Sequence, residues 1–330
     1  MDKIAGVALV VIAAAAYLGI RFARTDCDLT LASASDEIAP RKFANKRVWI
    51  TGASSGIGKA LALAIGKIPG TTVLISARSE ATLLEVKNEI LRAGGKCEIL
   101  VLDLADLASL NAKVNEARAI LGGDVDIMVN NGGISQRSMA KDSTFETDMQ
   151  ILNVDFVSAT IITKALVKGW ETRPDKSEAK GVISIASLAG KIGTPLRTFY
   201  CASKFALIGF MDSLRTEVAS QSNIVFTNIC PGSVSTNIAL NALKGSGEKF
   251  GAMDKHIANG MNVDRCAQLI IRAYANELPE VWTFGNPMEK IGAYVAQYFP
   301  WVFFRVIVKG NLLMKRNHDE MVEAARKKAH

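Results

Sequence analysis

The chain has little of what stabilises small secreted domains or binds metals. Five cysteines (Cys27, Cys97, Cys201, Cys230 and Cys266) are scattered over 330 residues with no C-x-x-C pair, and only three histidines accompany them. The count is odd and the spacing open, so neither a disulfide framework nor a metal site is expected. No Asn-x-Ser/Thr acceptor occurs anywhere, which fits a reducing, unglycosylated compartment. Internal repeats and nucleic-acid modules are also missing, and no nucleic-acid partner is expected. Charged residues make up 22% of the chain and apolar residues 49%, which excludes a disordered body and suits one large domain with appendages.

The net charge is +7, and much of the excess sits near the ends: Arg21, Arg24, Arg41, Lys42, Lys46 and Arg47 at the front, Lys315, Arg316, Arg326, Lys327 and Lys328 at the back. Between Ile4 and Ile20 the chain has no charge at all. Those 17 residues reach the lower limit for a membrane-spanning helix, and Phe22 and Ala23 extend it if Arg21 snorkels. A cleaved signal peptide is the alternative, but the small-residue site Ala32-Ser33-Ala34 lies far beyond the apolar run, with Arg21 and Arg24 between. A buried core helix fits poorly ahead of the first strand. Residues 1–24 therefore read as a membrane anchor and residues 25–45 as a linker or collar.

From residue 46 to 285 strand and helix patterns alternate. Short apolar strands are expected over Arg47–Ile50, Thr72–Ser76, Glu98–Leu102, Ile127–Asn130, Val182–Ile185, Ile224–Ile229 and Glu280–Thr283. Helical stretches separate them, including a single long helix over Asp148–Trp170. Continuous apolar strands between helices predict an α/β fold, a Rossmann-type doubly wound parallel sheet with helices on both faces. Residues 237–261, rich in Gly, Lys and Asn, read as a mobile loop.

The first strand runs into Thr51-Gly52-Ala53-Ser54-Ser55-Gly56-Ile57-Gly58. Glycines at such a junction allow a tight turn and let the backbone approach a pyrophosphate, while the following helix presents free N–H groups to phosphate. The second strand ends at Arg78, where an NAD enzyme usually has an acid for the ribose hydroxyls; a guanidinium suits the 2′-phosphate of NADP(H). Asp103 closes the third strand as an acceptor for the adenine amine, and Asn130 and Gly132 close the fourth beside the adenosine. Tyr200 and Lys204 lie four apart on one helix and share a face. A tyrosine by itself titrates near pKa ~10, and a neighbouring ammonium favours its phenolate.

The order TGASSGIG, NNGG, Asn153, Ser187, Tyr200-Cys201-Ala202-Ser203-Lys204 and Cys230-Pro231-Gly232 resembles the short-chain dehydrogenase/reductase family. The resemblance implies Asn153, Ser187, Tyr200 and Lys204 as the catalytic four. In it Tyr200 exchanges the proton with the substrate oxygen and Ser187 hydrogen-bonds that oxygen. Lys204 binds the nicotinamide ribose, and Asn153 supports a water leading to Lys204. Pro231 and Gly232, and the stretch Val234 to Thr236, would contact the carboxamide. The family's usual Asn-Asn-Ala-Gly is here Asn-Asn-Gly-Gly, with Gly132 in the alanine's place, which removes no chemical group. NNGGISQRS, YCASK and NICPG, with Asp264-Arg265-Cys266, are similar to a retinal- and steroid-type membrane branch of the family. That branch implies an endoplasmic-reticulum enzyme reducing apolar carbonyls with NADPH.

Residues 286–330 form an extension. Tyr294, Tyr298, Phe299, Trp301, Phe303 and Phe304 stand among Lys290, Arg305 and Lys309, a mixture suited either to a membrane–water boundary or to a pocket cover. Lys327 and Lys328, fourth and third from the end, resemble a dilysine retrieval signal read in the cytosol. Expected partners are an apolar carbonyl or alcohol substrate and membrane lipid, with a homodimer left open. Two readings compete with carbonyl reduction: a lipid-chain 3-keto reductase, and a non-catalytic cofactor-binding scaffold.

Overall fold

Burial of short apolar strands on both faces drives the architecture. The computed structural model describes residues 2–173, 178–219 and 223–306. The strands are β1 (Arg47–Thr51), β2 (Thr72–Ala77), β3 (Lys96–Val101), β4 (Ile127–Asn130), β5 (Lys180–Ile185), β6 (Ile224–Pro231) and β7 (Glu280–Thr283). All pair in parallel, in the order β3-β2-β1-β4-β5-β6-β7. The order reverses between β1 and β4, which opens a crevice at the carboxyl ends of the strands.

The helices are α1 (Asp2–Arg24), α2 (Leu29–Ala32), α3 (Ala39–Phe43), α4 (Gly56–Gly66), α5 (Glu80–Arg92) and α6 (Leu110–Ile120). They continue as α7 (Phe145–Leu152), α8 (Ser158–Glu171), α9 (Thr198–Val218), α10 (Lys255–Ala258), α11 (Val263–Ala275) and α12 (Pro287–Tyr298). Strand residues alternate between two apolar layers. Val48 and Ile50 meet Leu61 of α4 and Ile270 of α11 on one face; Trp49 joins Val114, Ile162, Leu166 and Met211 of α6, α8 and α9 on the other.

Three expectations change. Residues 25–45 are not a linker: Cys27, Leu31 and Phe43 are buried in the core with α4 and α11. Cys27 forms an antiparallel bridge to Thr283, flanked by Asp28 N–H to Trp282 O (2.9 Å) and Phe284 N–H to Asp26 O (2.8 Å). Residues 237–261 are pinned rather than loose. Leu243 exchanges backbone hydrogen bonds with Ser135 and Arg137, and Ala239, Ala242 and Phe250 are buried. The single long helix is two, α7 and α8, joined by a π-helical turn at Asn153–Val157.

α1 ends against the body. Arg21 donates to Ala32 O (2.8 Å), Lys290 donates to the carbonyls of Phe22 and Thr25, and Phe22 packs edge-on to Tyr294 with ring centroids 5.1 Å apart. Tyr17, Leu18 and Ile20 are exposed. Beyond α12 the chain is helical again over residues 300–306, with Tyr298, Phe299, Trp301 and Phe304 exposed. Among the described residues, the one stretch with the length and hydropathy of a membrane span is Phe145–Glu171, and half of it is buried inside the fold, as suits a core element; the expected N-terminal membrane helix is not shown by this. Lys327 and Lys328 lie outside the described residues.

Candidate active site

The turn after β1 is built for close backbone approach. Gly52 has φ +65°, and a Cβ there would lie 2.7 Å from Gly132 Cα. At Gly58 a Cβ would lie 2.4 Å from Asn131 Nδ2, so this glycine acts through packing and does not border the cavity. Thr51 Oγ1 accepts from the N–H groups of Asn131 and Gly132, both at 3.1 Å, and Asn131 Nδ2 donates to Thr51 O at 2.9 Å. The two loops are thus stapled into one rim, and Ser55 and Gly56 open α4 above it. Asn131 is a site residue that the sequence reading passed over in favour of Asn130. Asn130 turns the other way, donating to Thr163 Oγ1 of α8 at 2.9 Å, and does not line the main cavity. The NNGG run holds the signal for both; strand alternation at its end decides which faces the crevice.

The rim opens into a cavity of ≈ 610 Å³. Thr51, Gly52, Ser54, Ser55, Gly56 and Ile57 form its floor, and Arg78 and Asp103 one end. Ser187, Tyr200 and Lys204 stand near the middle, with Pro231, Gly232, Val234 and Thr236 across from them. Arg78 is exposed and has no carboxylate partner among the described residues. The crevice, the glycine approach and the unpaired guanidinium fit a dinucleotide.

Ser187 leaves β5 in an extended conformation. Its Oγ accepts from Ala189 N–H (3.1 Å) and donates to Pro231 O (3.4 Å). Tyr200 and Lys204 lie one turn apart on α9, both buried, with Lys204 Nζ 5.6 Å from the Tyr200 ring centroid and 3.3 Å from Ile185 O. Asp155, inside the π-turn, reaches Lys204: Oδ2 lies 3.4 Å from Nζ, and Oδ1 accepts from Ile134 N–H at 2.7 Å. Asn153 is half-buried and does not border the cavity. Its assignment beside Lys204 is therefore corrected to Asp155. Burial pushes the Asp155 carboxyl above the usual carboxylate range, against the pull of Lys204. Burial of the Lys204 ammonium works against its charge, but the Asp155 carboxylate outweighs it and holds the lysine above its ordinary value.

Residues 46–246 match the family described as short chain dehydrogenase. The chain belongs to the short-chain dehydrogenase family. Members are oxidoreductases that transfer hydride with a bound nicotinamide cofactor. The chain is 36% identical over 294 residues to human dehydrogenase/reductase SDR family member 7, covering 86% of this chain and 84% of that protein. It is 37% identical over 275 residues to the dehydrogenase/reductase SDR family protein 7-like of Anopheles gambiae, covering 82% and 84%. A short chain dehydrogenase/reductase from Burkholderia phymatum, solved in complex with NAD, shares the fold with a TM-score of 0.66. It is 19% identical, with 77% of this chain and 93% of that one covered.

At the far end of this short-chain dehydrogenase's cavity Asp254 clamps two arginines. Its Oδ2 accepts from Arg137 and Arg197, each at 3.1 Å. Burial lowers the Arg137 pKa to about 10, helped by the neighbouring Arg197 charge and opposed by Asp254. The clamp fastens the 237–261 segment over the cavity. On the opposite wall Glu289 of α12 accepts from Ser233 and from Gly285 N–H (2.8 Å), which brings Ala293 and Phe303 to the lining. Arg137 stood in the NNGGISQRS run, which was weighed only for its family likeness, and Glu289 carried no motif.

Proposed function

We propose that this protein is an NADP(H)-dependent carbonyl reductase of hydrophobic substrates. It works at the endoplasmic-reticulum membrane, with α1 as its anchor and the catalytic domain on the cytosolic side. The observation that carries the proposal is the meeting of Ser187, Tyr200 and Lys204 on one cavity whose other end bears the unpaired Arg78. The Tyr200 hydroxyl delivers a proton to the carbonyl oxygen as negative charge develops there. The Ser187 hydroxyl donates a hydrogen bond to the same oxygen. Lys204 holds positive charge beneath the phenol ring. Bound nicotinamide supplies the hydride. Arg78 favours NADP(H), because a guanidinium forks onto a phosphate.

Support for an apolar substrate comes from the Ala293 and Phe303 wall. Support for the membrane comes from the uncharged run Ile4–Ile20, the exposed Tyr17, Leu18 and Ile20, and the exposed aromatics of the extension. Lys3 alone stands just ahead of the uncharged run Ile4–Ile20, and Arg21 and Arg24 follow it, which favours a cytosolic body. The test is turnover. Full-length protein in detergent should consume NADPH with apolar ketones and aldehydes. Tyr200→Phe, which keeps the ring and removes the proton, should lose at least ~100-fold in kcat while still binding NADPH. Near-normal turnover by that variant would overturn the mechanism.

A further inference from the structure

Asp155 is the one fully buried carboxylate in contact with the catalytic group. Its side chain has no exposure, and that of Lys204 is 5% exposed. It sits in the only π-helical turn among the described residues, and such turns tend to occur where a helix is bent to serve a site. Oδ2 has no hydrogen-bond partner apart from the Lys204 ammonium it faces. A Cβ at Gly133 would lie 3.2 Å from Asp155 Oδ1 and 3.3 Å from Lys204 Nζ. A side chain there would crowd both groups, so glycine keeps the space beside the pair free.

We infer that Asp155 is the positioning residue of the catalytic lysine: its carboxylate holds the Lys204 ammonium beneath the phenol ring and balances its charge there. The inference rests on the functional reading above and goes beyond it. A neutral side chain at this place would satisfy Ile134 N–H equally well; only a carboxylate balances the ammonium. The charged surroundings are few. Lys204 faces Asp155 from the π-turn and Tyr200 on its own helix. Tyr200 also faces Arg137 from the β4 loop, which is itself paired to Asp254. Burial raises the carboxyl and the carboxylate raises the ammonium, so both are ionised between the two raised values.

Removing the carboxylate leaves the Lys204 ammonium uncancelled, and its field draws the proton off the phenol at lower pH. The proton-donating form is then depleted sooner as pH rises.

The experiment compares pH profiles of carbonyl reduction and of the reverse alcohol oxidation for full-length wild type and Asp155→Asn. Asparagine is isosteric and keeps the acceptor for Ile134 N–H, and NADPH binding and thermal melting check the fold. In the variant the alkaline limb of reduction should move down by at least about one pH unit. NADPH affinity should stay within a few-fold, and oxidation near neutral pH should gain relative to reduction. Asp155→Glu, which returns the charge, should bring the limb back toward wild type, and it carries the test if the asparagine variant does not fold. Profiles that superimpose, with kcat lowered uniformly, would make Asp155 a packing residue and overturn the inference. Wild-type turnover tests the functional reading; displacement between variants tests Asp155.

Discussion

Arg78 stands at the carboxyl end of β2 with its guanidinium exposed on the cavity rim. A charge-assisted hydrogen bond contributes about 1.5–3 kcal/mol, so Arg78→Ala should weaken NADPH binding by about 10- to 100-fold and leave NADH nearly unchanged. Fluorescence titration with both cofactors measures this. Equal losses, or a wild-type preference for NADH, would remove the arginine from the phosphate. Residues of this kind were legible in the sequence because punctuation marks them. Thr51 and its glycines sit between a strand and a helix, Arg78 ends a strand, and Tyr200 and Lys204 keep helical spacing. Asn153 came from the family resemblance and not from helix geometry, and the π-turn at Asn153–Val157 turns a different residue to the lysine. Asp155, two places on, meets the lysine. No Pro or Gly at 153–157 marks the bulge.

Where β1, β4 and β5 begin, three charges tie the elements together. Asp126, just before β4, accepts from Arg47 N–H (2.8 Å) and Arg47 Nε (3.1 Å), and from the fully buried Lys180 that opens β5. Burial pushes the Asp126 carboxyl up, but hydrogen bonds from Arg47 and Lys180 outweigh it and hold it below the usual carboxylate range. A depressed folded value means the stabilisation is complete above the unfolded pKa of about 3.9 and fades as pH falls through the lower folded value. Asp126→Asn leaves the buried Lys180 ammonium only the exposed Glu178 carboxylate, 3.5 Å away, and should cost up to about 3–5 kcal/mol at neutral pH. Chemical unfolding at pH 7 and pH 3 checks it, since the gap between variant and wild type should narrow in acid. A gap that is small at pH 7 would show the triad to be incidental. The seven strands themselves were legible because each is a short apolar run between helices. Residues 25–45 were not, because Cys27, Leu31 and Phe43 are too widely spaced among polar neighbours to show a period, and only tertiary contact with α4 and α11 reveals them as core. The 237–261 segment hid its anchoring likewise, since backbone pairing of Leu243 leaves no trace in composition.

For the whole molecule, the C-terminal end of α1 meets α12 of the extension, through Lys290 and through Phe22 against Tyr294. If both rest on one bilayer, the cavity wall carrying Phe303 lies near lipid, a short path for an apolar substrate. Protein in sealed microsomes, tagged ahead of the terminal lysines, should be digested by added protease without detergent, which reports a cytosolic body. Protection until detergent is added would place it in the lumen. Salt washing should leave the protein on the membrane, and removal of residues 1–24 should release most of it.

The segment that leads from α1 into the body has one more consequence. A parallel sheet ends in strands with unpaired backbone groups, and such edges invite a second chain to pair with them. Here Asp26, Cys27 and Asp28 lie along β7, and the Asp28 carboxylate accepts from Trp282 N–H at 2.7 Å. That edge is already closed by the chain's own entry. Two copies cannot join by continuing the sheet through β7, which leaves β3 as the sheet's other edge strand. A soluble form cut just after Arg24 keeps this seal. A cut after Asp28 would expose the edge together with the hollow left by Cys27, and such a form is expected to aggregate.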